Sequence, residues 1–169
     1  MINKAQIQNN LAQISRLYQR YIGDKKGLYY SKLAILEVCG WIEESMDDIV
    51  LSCARRHLVD ADNFSFVKNR IVKRTTSFDY DDHFRQMLMQ VLGIITIERL
   101  ESNLDQHKFT NMKSALTTLK RRRDEQAHTH IKGTTMTIDA PSVTVRHFQN
   151  VYDGLKHVES LVRRTKIQK

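Results

Sequence analysis

The sequence predicts an all-α domain of five or six helices, and three observations support this fold class. One Pro and six Gly in 169 residues leave few positions that would break a helix. Apolar residues recur at spacings of three and four along most of the chain. Hydrophobic residues make up 41% of the composition and charged residues 27%, as in an ordinary globular domain. We therefore expect residues 1–169 to form one helical domain, with a short basic tail at about residues 163–169.

The first two helices are predicted from their apolar stripes. Residues 2–22 carry one stripe at helical spacing, and residues 23–27 form a turn. Ser31 is the candidate N-cap of a long second helix that runs to about Val59. Six apolar residues of this helix share a narrow arc: Ile35, Val38, Ile42, Met46, Ile49 and Cys53. The opposite arc mixes leucines with carboxylates: Leu33, Leu36, Leu51, Leu58, Glu43, Glu44 and Asp47. Both faces of the helix are therefore expected to pack.

The middle of the chain is predicted to contain a short helix and then a buried one. The short helix spans residues 64–74 and precedes a polar break at residues 75–77. Asp81 or Asp82 would start the next helix, which includes the long apolar stretch from residue 87 to residue 100. We expect this helix to be the most buried element, through four residues of its stripe: Leu88, Val91, Leu92 and Ile95.

The last third of the chain is predicted to hold two long helices. Thr110 is the candidate cap of the first, here called the motif helix, which runs to about Ile131 and stops at Gly133. Residues 134–138 are rich in β-branched side chains and are expected to be extended. Asp-Ala-Pro-Ser at residues 139–142 begins the final amphipathic helix. The second helix, the helix after residue 81 and the motif helix are expected to form the bundle core.

Several classes of protein are excluded by composition and motifs. The N-terminus lacks the apolar segment of a secretory signal, and residues 87–100 are too short to span a bilayer. Cys39 and Cys53 would lie about 21 Å apart on one helix, which excludes a disulfide between them. Reduced cysteines without an export signal predict a cytoplasmic protein that does not enter membranes. No nucleotide-binding glycine motif occurs, so no cofactor is expected.

The charge of the chain favours an anionic partner. The net charge is +8 and the pI is about 9.6. RNA or another nucleic acid is the first candidate, and an acidic protein such as an antitoxin is the second. Lys120, Arg121 and Arg122 precede Arg123 as a run of four cations. The run is either a solvated helix face near the C-terminal end of the dipole or a guide for the RNA backbone, and we favour the guide.

Arg123 stands where the motif helix should carry a core residue. The apolar stripe of that helix consists of Phe109, Met112, Leu116, Leu119 and Ala127, and Arg123 lies inside it. A charge in that place is costly unless it is paired and hydrogen-bonded. This end of the stripe is therefore expected to open into a cleft or an interface, with Glu43 or Asp47 as the counter-charge.

His128 is the titratable partner that the sequence offers to Arg123. A guanidinium and an imidazole are the minimum for metal-free chemistry on a phosphodiester. The two residues lie about 140° apart around the helix, so they are not side by side within one chain. A ligand across both, or a second copy of the helix across a two-fold axis, could close this gap. Asp124, four residues before His128, can orient its ring. His128 and His130 diverge from each other on a helix, so no metal site is expected.

The hexapeptide Arg-Asp-Glu-Gln-Ala-His at residues 123–128 resembles the R-x4-6-H signature of the HEPN superfamily. In that signature Asn or Asp commonly follows the Arg, and Ala often precedes the His. The segment from residue 135 to residue 145 is similar to the RiboL-PSP type of HEPN domain. The resemblance covers about the last 80 residues well, and the first half of the chain only by its helical pattern.

The resemblance implies a small all-helical homodimer with a composite site built from two motifs. It implies a metal-independent endoribonuclease that leaves 2′,3′-cyclic phosphate ends and serves as a toxin or antiphage-defence effector, with an antitoxin or defence-system protein as partner. His128 would be the base, Arg123 would stabilise the phosphorane, and Asp124 would orient His128. From their positions in the sequence, Glu43, Asp47 and His130 are the expected supporting residues. His130 stands where many HEPN toxins carry the Tyr that is adenylylated. The alternative is a non-catalytic HEPN-like module that binds RNA, a nucleotide or a protein.

Overall fold

The computed structural model describes residues 1–127, 130–131 and 137–165, and within them the chain is all-helical with no β-strand. These residues form seven α-helices: α1 Ala5–Arg20, α2 Lys25–His57, α3 Ala61–Phe66, α4 Arg85–Leu92, α5 Ile94–Glu101, α6 Gln106–Ala127 and α7 Pro141–Arg164. The all-α fold class is thereby confirmed, and the seven described α-helices exceed the expected five or six.

Two long helices begin earlier than their predicted caps. Asp24, not Ser31, caps α2, and its Oδ1 accepts a hydrogen bond from the Lys26 amide at 3.1 Å. Ser31 is fully buried inside the helix. Asp105 takes the same role at the start of α6, where its Oδ1 accepts from the Lys108 amide at 3.1 Å. Thr110 lies one turn inside that helix. Aspartate caps a helix as well as serine or threonine does, so the upstream carboxylate extends each helix.

The early start of α2 also depends on Gly27. A Cβ atom at this position would lie 2.6 Å from the carbonyl oxygen of Tyr21, which is backbone that cannot move aside. The absence of a side chain lets the first turn of α2 fold back against the end of α1. The predicted turn at residues 23–27 is therefore shorter than expected, and most of it belongs to α2.

The segment after α3 changes helix type twice. A π-helical turn, Val67–Ile71, and a 3₁₀ turn, Val72–Arg74, carry the chain to the polar break, which is non-helical as predicted. Asp79, rather than Asp81 or Asp82, then caps a second π-helical turn, Tyr80–Phe84, through a hydrogen bond from the Asp82 amide to its Oδ1. The break between the two π-helical turns, at residues 75–79, places Phe78 in the core with no exposed surface.

Gly93 divides the helix that was predicted to be the most buried. Its φ is +80°, a backbone conformation that favours glycine, and the chain turns there from α4 into α5. The apolar stripe does not continue across the turn, so Ile94 and Ile95 are 63% and 64% exposed. Leu88 and Leu92 are buried as expected, whereas Val91 is only partly buried.

The core of the bundle lies between α1, α2, α6 and α7. The α7 helix packs along both α6 and α2, and α1 packs along α2, while α4 makes the smaller contact with α2. The prediction that α2 and α6 belong to the bundle core is correct. Its third predicted member, the helix now divided into α4 and α5, is wrong, because α7 packs in that position. The predicted α2 stripe is buried throughout, with every member at most 2% exposed. On the opposite face, Leu33 and Leu36 remain 41% and 37% exposed, so that face packs only in part.

The C-terminal helix begins as the sequence predicts, with Pro141 in its first turn. Its last turn contains Arg163 and Arg164, so the start of the expected basic tail is helical. Residues 166–169 lie outside the described residues. The same holds for Gly133 and for most of the segment expected to be extended, residues 134–136.

The α6–α7 contact is closest at Gly154, where an added Cβ would overlap the Met112 side chain. We expect Gly154→Ala to lower the free energy of unfolding by about 1–2 kcal/mol, because overpacking outweighs the better helix propensity of Ala. Urea unfolding followed by circular dichroism measures this.

Gly40 provides the matched control, since it lies mid-helix on α2 and an added Cβ there would meet no atom within 4 Å. Gly40→Ala should raise the free energy of unfolding by up to about 1 kcal/mol through helix propensity alone. Equal effects of the two substitutions would contradict the close α6–α7 contact.

Candidate functional site

Arg123 on α6 has contacts on three sides, and one of them joins it to α2. Its Nη1 donates to Glu43 Oε1 at 2.6 Å, and its Nε donates to Asp124 Oδ1 at 3.1 Å. The guanidinium lies over the ring of Phe78, 4.9 Å from the centroid. The Arg123 side chain is 23% exposed, so one edge still reaches solvent. Of the two expected counter-charges, Glu43 makes the ion pair.

The pairing follows from the register between α2 and α6. Cys39 Sγ lies 3.9 Å from the carbonyl oxygen of Leu119, one helical turn before the Arg123–Glu43 pair on each helix. The two helices therefore run in the same direction at this contact. Burial raises the pKa of the Cys39 thiol to about 12, so this cysteine stays neutral and acts as a packing residue. Asp47 follows Glu43 by one turn, toward the end of α6 where the motif continues.

Asp47 is the carboxylate of this site with a perturbed proton affinity. Its pKa is raised to about 6, first by burial and then by the neighbouring carboxylates of Glu43, Asp48 and Glu44, in that order. It makes no ion pair with Arg123 in the described part of the chain. A half-buried carboxyl that titrates near neutrality, one turn along α2 from the carboxylate that pairs with Arg123, can hold or release a proton at physiological pH.

The rest of the motif, residues 124–128, is only partly within the described residues. His128 lies outside the described residues, and so does the expected contact between Asp124 and its ring. Asp124 is 54% exposed and its Oδ1 accepts from Arg123. His130 is described and exposed. Gln126 is buried and Ala127 is exposed, so the apolar stripe of α6 ends before Arg123 and does not resume at Ala127 as expected.

Two of the three cations before Arg123 pair with carboxylates. Arg121 pairs with Glu125 at 2.6 Å, and Arg122 pairs with Asp139 at 2.7 Å and with Glu125 at 3.5 Å. Lys120 is partly buried. These pairs reduce the positive potential of the run, although its use as a guide for RNA stays a prediction. The Arg122–Asp139 pair joins α6 to the residues just before α7.

Further polar groups lie near that junction. Arg122 Nε, Gln126 Oε1 and His147 Nδ1 are buried and have no hydrogen-bond partner among the described residues. Burial and the nearby charge of Arg146 lower the pKa of His147, which favours its neutral form. The described residues contain no group of three or more His, Cys, Asp or Glu side chains that could hold a metal ion.

Two features of the surroundings escaped the sequence patterns. Nothing in the sequence indicated that Phe78 is a core residue, because it lies in a polar break without apolar periodicity. The second feature is a set of six cations from the end of α2 to the 3₁₀ turn, here called the α2–α3 basic surface: Arg55, Arg56, Lys68, Arg70, Lys73 and Arg74. Residues 55–74 contain these six cations and only two carboxylates, Asp60 and Asp62. A count of charges along the sequence would have revealed this local positive excess.

The raised pKa of Asp47 predicts that its charge destabilises the fold. The charged form costs stability above about pH 6, and the cost disappears below the unfolded value of 3.8, where both states are protonated. Asp47→Asn should therefore raise the free energy of unfolding by about 1 kcal/mol at pH 8, after discounting for solvent screening, and by little below pH 4.

Unfolding in urea at both pH values measures this, with Glu98→Gln on the exposed face of α5 as the control. A gain from Asp47→Asn that is the same at both pH values would contradict the perturbed titration.

Comparison with known proteins adds no relative: no protein-family model, curated protein or solved structure matches the chain. Within the described residues, moreover, none of the helices combines the length and apolarity needed to cross a membrane. Function therefore has to be argued from the residues of the site.

Proposed function

We propose that the chain is a metal-independent endoribonuclease of the HEPN type, in which Arg123 and His128 act on the phosphodiester. The observation that carries the proposal is the setting of Arg123. Glu43 and Asp124 occupy its Nη1 and Nε, and Nη2 donates to no acceptor of the described residues. A guanidinium fixed in this way at a partly open edge presents its remaining donors to a phosphate without having to be ordered first.

The proposed reaction is an internal transfer on RNA. His128 removes the proton of a ribose 2′-OH, and O2′ then attacks the adjacent phosphorus. The bond from phosphorus to O5′ breaks, and the leaving oxygen takes a proton from water. The products are a 2′,3′-cyclic phosphate and a 5′-hydroxyl end. Arg123 stabilises the additional negative charge on the phosphorane oxygens. Asp124 orients the ring of His128, and Asp47 and Glu43 set the electrostatics around Arg123.

The proposed enzyme is a homodimer whose interface includes α6. His128 follows Arg123 by five positions in the sequence, a spacing that on a regular helix corresponds to about 140° of rotation and not to one face. A two-fold axis beside α6 would bring the Arg of one protomer to the His of the other. We further propose a cytoplasmic toxin or antiphage-defence effector, held in check by an antitoxin or defence-system protein. The net charge of +8 favours RNA as substrate and an acidic surface on such a partner.

Cleavage of RNA should persist in EDTA and depend on both motif residues. Arg123→Ala and His128→Ala should each lower the rate by about 10²–10⁴-fold, which is the usual contribution of such groups. A labelled RNA with one cleavage site, resolved on a denaturing gel, measures the rate and the cyclic phosphate ends. Arg16→Ala, an exposed change on α1, is the control. Activity that is lost in EDTA, or that survives both motif substitutions, would refute the proposal.

Mixing two inactive variants tests the composite site. If each site takes Arg123 from one protomer and His128 from the other, a heterodimer of Arg123→Ala and His128→Ala contains one intact site. An equimolar mixture that exchanges subunits should recover about a quarter of the wild-type activity, since half of the dimers are mixed and each has one working site. Sedimentation should show a dimer at micromolar concentration. A strict monomer with full activity, or no recovery despite subunit exchange, would contradict the shared site.

The alternative is a non-catalytic HEPN-like binding module, and the same contacts support it if their role is structural. Glu43, Asp124 and Phe78 surround Arg123 as they would a structural ion pair. Arg123→Lys separates the two functions, because a binding surface needs charge alone whereas a forked phosphate contact needs the guanidinium. Expression of wild type beside His128→Ala in a bacterial host then decides between them. Growth arrest with RNA loss in wild type alone supports the enzyme, and equal growth supports the module.

A further inference from the structure

We propose that the α2–α3 basic surface, and not the cation run on α6, is where single-stranded RNA binds before cleavage. This inference rests on the proposed ribonuclease function for its choice of RNA as the anion. It assigns the substrate contact to six residues that lie outside the motif: Arg55, Arg56, Lys68, Arg70, Lys73 and Arg74.

The ion pairs distinguish the two groups of cations. All six side chains of the α2–α3 basic surface are exposed, and none forms an ion pair within the described part of the chain. On α6, by contrast, carboxylates pair with Arg121, Arg122 and Arg123. Affinity for a phosphate backbone comes from cations that neutralise phosphates and release their counterions. Cations without a carboxylate partner supply this affinity in full.

Exposed aromatic surface accompanies these charges. Phe66 is 58% exposed, and with Arg70 it lines a shallow groove whose other lining residues are Asp62, Ser65 and Asn69. An open phenyl ring beside a guanidinium is a stacking platform for unpaired bases. A second ring, Phe64, lies under the guanidinium of Arg55 at 5.3 Å. Bases are available for stacking in single-stranded RNA, so this combination favours a single strand over a duplex.

The segment that carries the surface is anchored from below. Val67, Ile71 and Val72 are at most 6% exposed and tie the π-helical and 3₁₀ turns to the core. Phe66 at the end of α3, Arg70 in the π-helical turn and Arg74 in the 3₁₀ turn recur at four-residue spacing, and all three are exposed. The cations are therefore presented on ordered backbone rather than on a free tail.

The surface leads directly to the candidate site. Arg74 ends the 3₁₀ turn, and Phe78, four residues later, contacts the Arg123 guanidinium. Four residues span at most about 14 Å, even when fully extended. The α2 helix makes the same connection, because Arg55 lies two turns beyond Asp47 on α2, about 12 Å along the helix axis. A strand bound across Arg70 and Arg74 can thus extend to the phosphodiester held by Arg123.

Binding of an uncleavable RNA tests the surface. The probe is a fluorescein-labelled, uridine-only, 2′-O-methylated RNA, which lacks the attacking hydroxyl and reports binding alone by fluorescence anisotropy. We compare full-length wild type with Arg70→Gln/Arg74→Gln and with a control of equal charge change, Arg16→Gln/Arg146→Gln, whose residues are exposed on α1 and α7. Circular dichroism verifies that both variants are folded.

The logarithm of the association constant falls linearly with the logarithm of the salt concentration, and loss of two phosphate contacts should make this slope shallower by about 1.4. Binding should weaken about 25-fold at about 0.1 M salt. The control pair makes no phosphate contact, so it should leave the slope close to the wild-type value and bind within about threefold of wild type. Equal weakening by the two double variants would overturn the inference. So would binding of the probe that is unaffected by Arg70→Gln/Arg74→Gln.

The same variants separate this inference from the proposed function. If wild type cleaves RNA and Arg70→Gln/Arg74→Gln cleaves it with unchanged KM, the nuclease stands and the surface is refuted. If the probe binds through Arg70 and Arg74 but no RNA is cleaved, the surface stands and the nuclease is refuted. Phe66→Ala should weaken binding of the single-stranded probe more than binding of a duplex of the same length. An equal loss of affinity for the single strand and for the duplex would refute the stacking role of Phe66 and with it the preference for a single strand.

Discussion

The contact between α2 and α6 at Arg123 and Glu43 is the constraint on which the rest of the candidate site depends. A charge takes the place of a core residue at the end of the α6 stripe, and it is tolerated because three groups surround it. An apolar pair at the same positions would hold two helices together at least as well. Stability alone therefore does not require a charge at this seam, and the phosphate contact proposed for Arg123 would give that charge a function.

The irregular segment between the two π-helical turns completes that environment. Residues 75–79 contribute few backbone hydrogen bonds of their own, yet Phe78 is fully buried and lies under the guanidinium. The ring excludes water from one face of Arg123 while Glu43 neutralises part of its charge. Such turns depart from the α-helical register and are frequent near functional sites. Here they deliver an aromatic ring from a short loop to the seam between two long helices.

The sequence predicts the parts of this arrangement that depend on periodicity. The stripe of α2 and the position of Arg123 at the end of the apolar stripe of α6 follow from 3.6-residue spacing, and they led to Glu43 as one of two candidate partners. The errors have local causes. Asp24 and Asp105 cap their helices upstream of Ser31 and Thr110, because a suitable capping side chain occurs earlier in the sequence than predicted. Gly93 ends α4 through its positive φ, which the hydrophobic pattern does not reveal. Phe78 reaches Arg123 through tertiary structure alone, which no spacing rule describes.

Fixing a catalytic arginine and binding a phosphate backbone place opposite demands on charge. A guanidinium that must be held within a few tenths of an ångström needs carboxylates around it, and each carboxylate lowers its attraction for a distant anion. A guanidinium that draws in RNA must instead be free of such partners, so that phosphates neutralise it. One short run of cations cannot meet both demands. The arginines of α6 are paired, whereas the cations of residues 55–74 form no ion pair within the described ranges. This separation is what the conflict would produce, with Phe78 and α2 as the physical connection between the two groups.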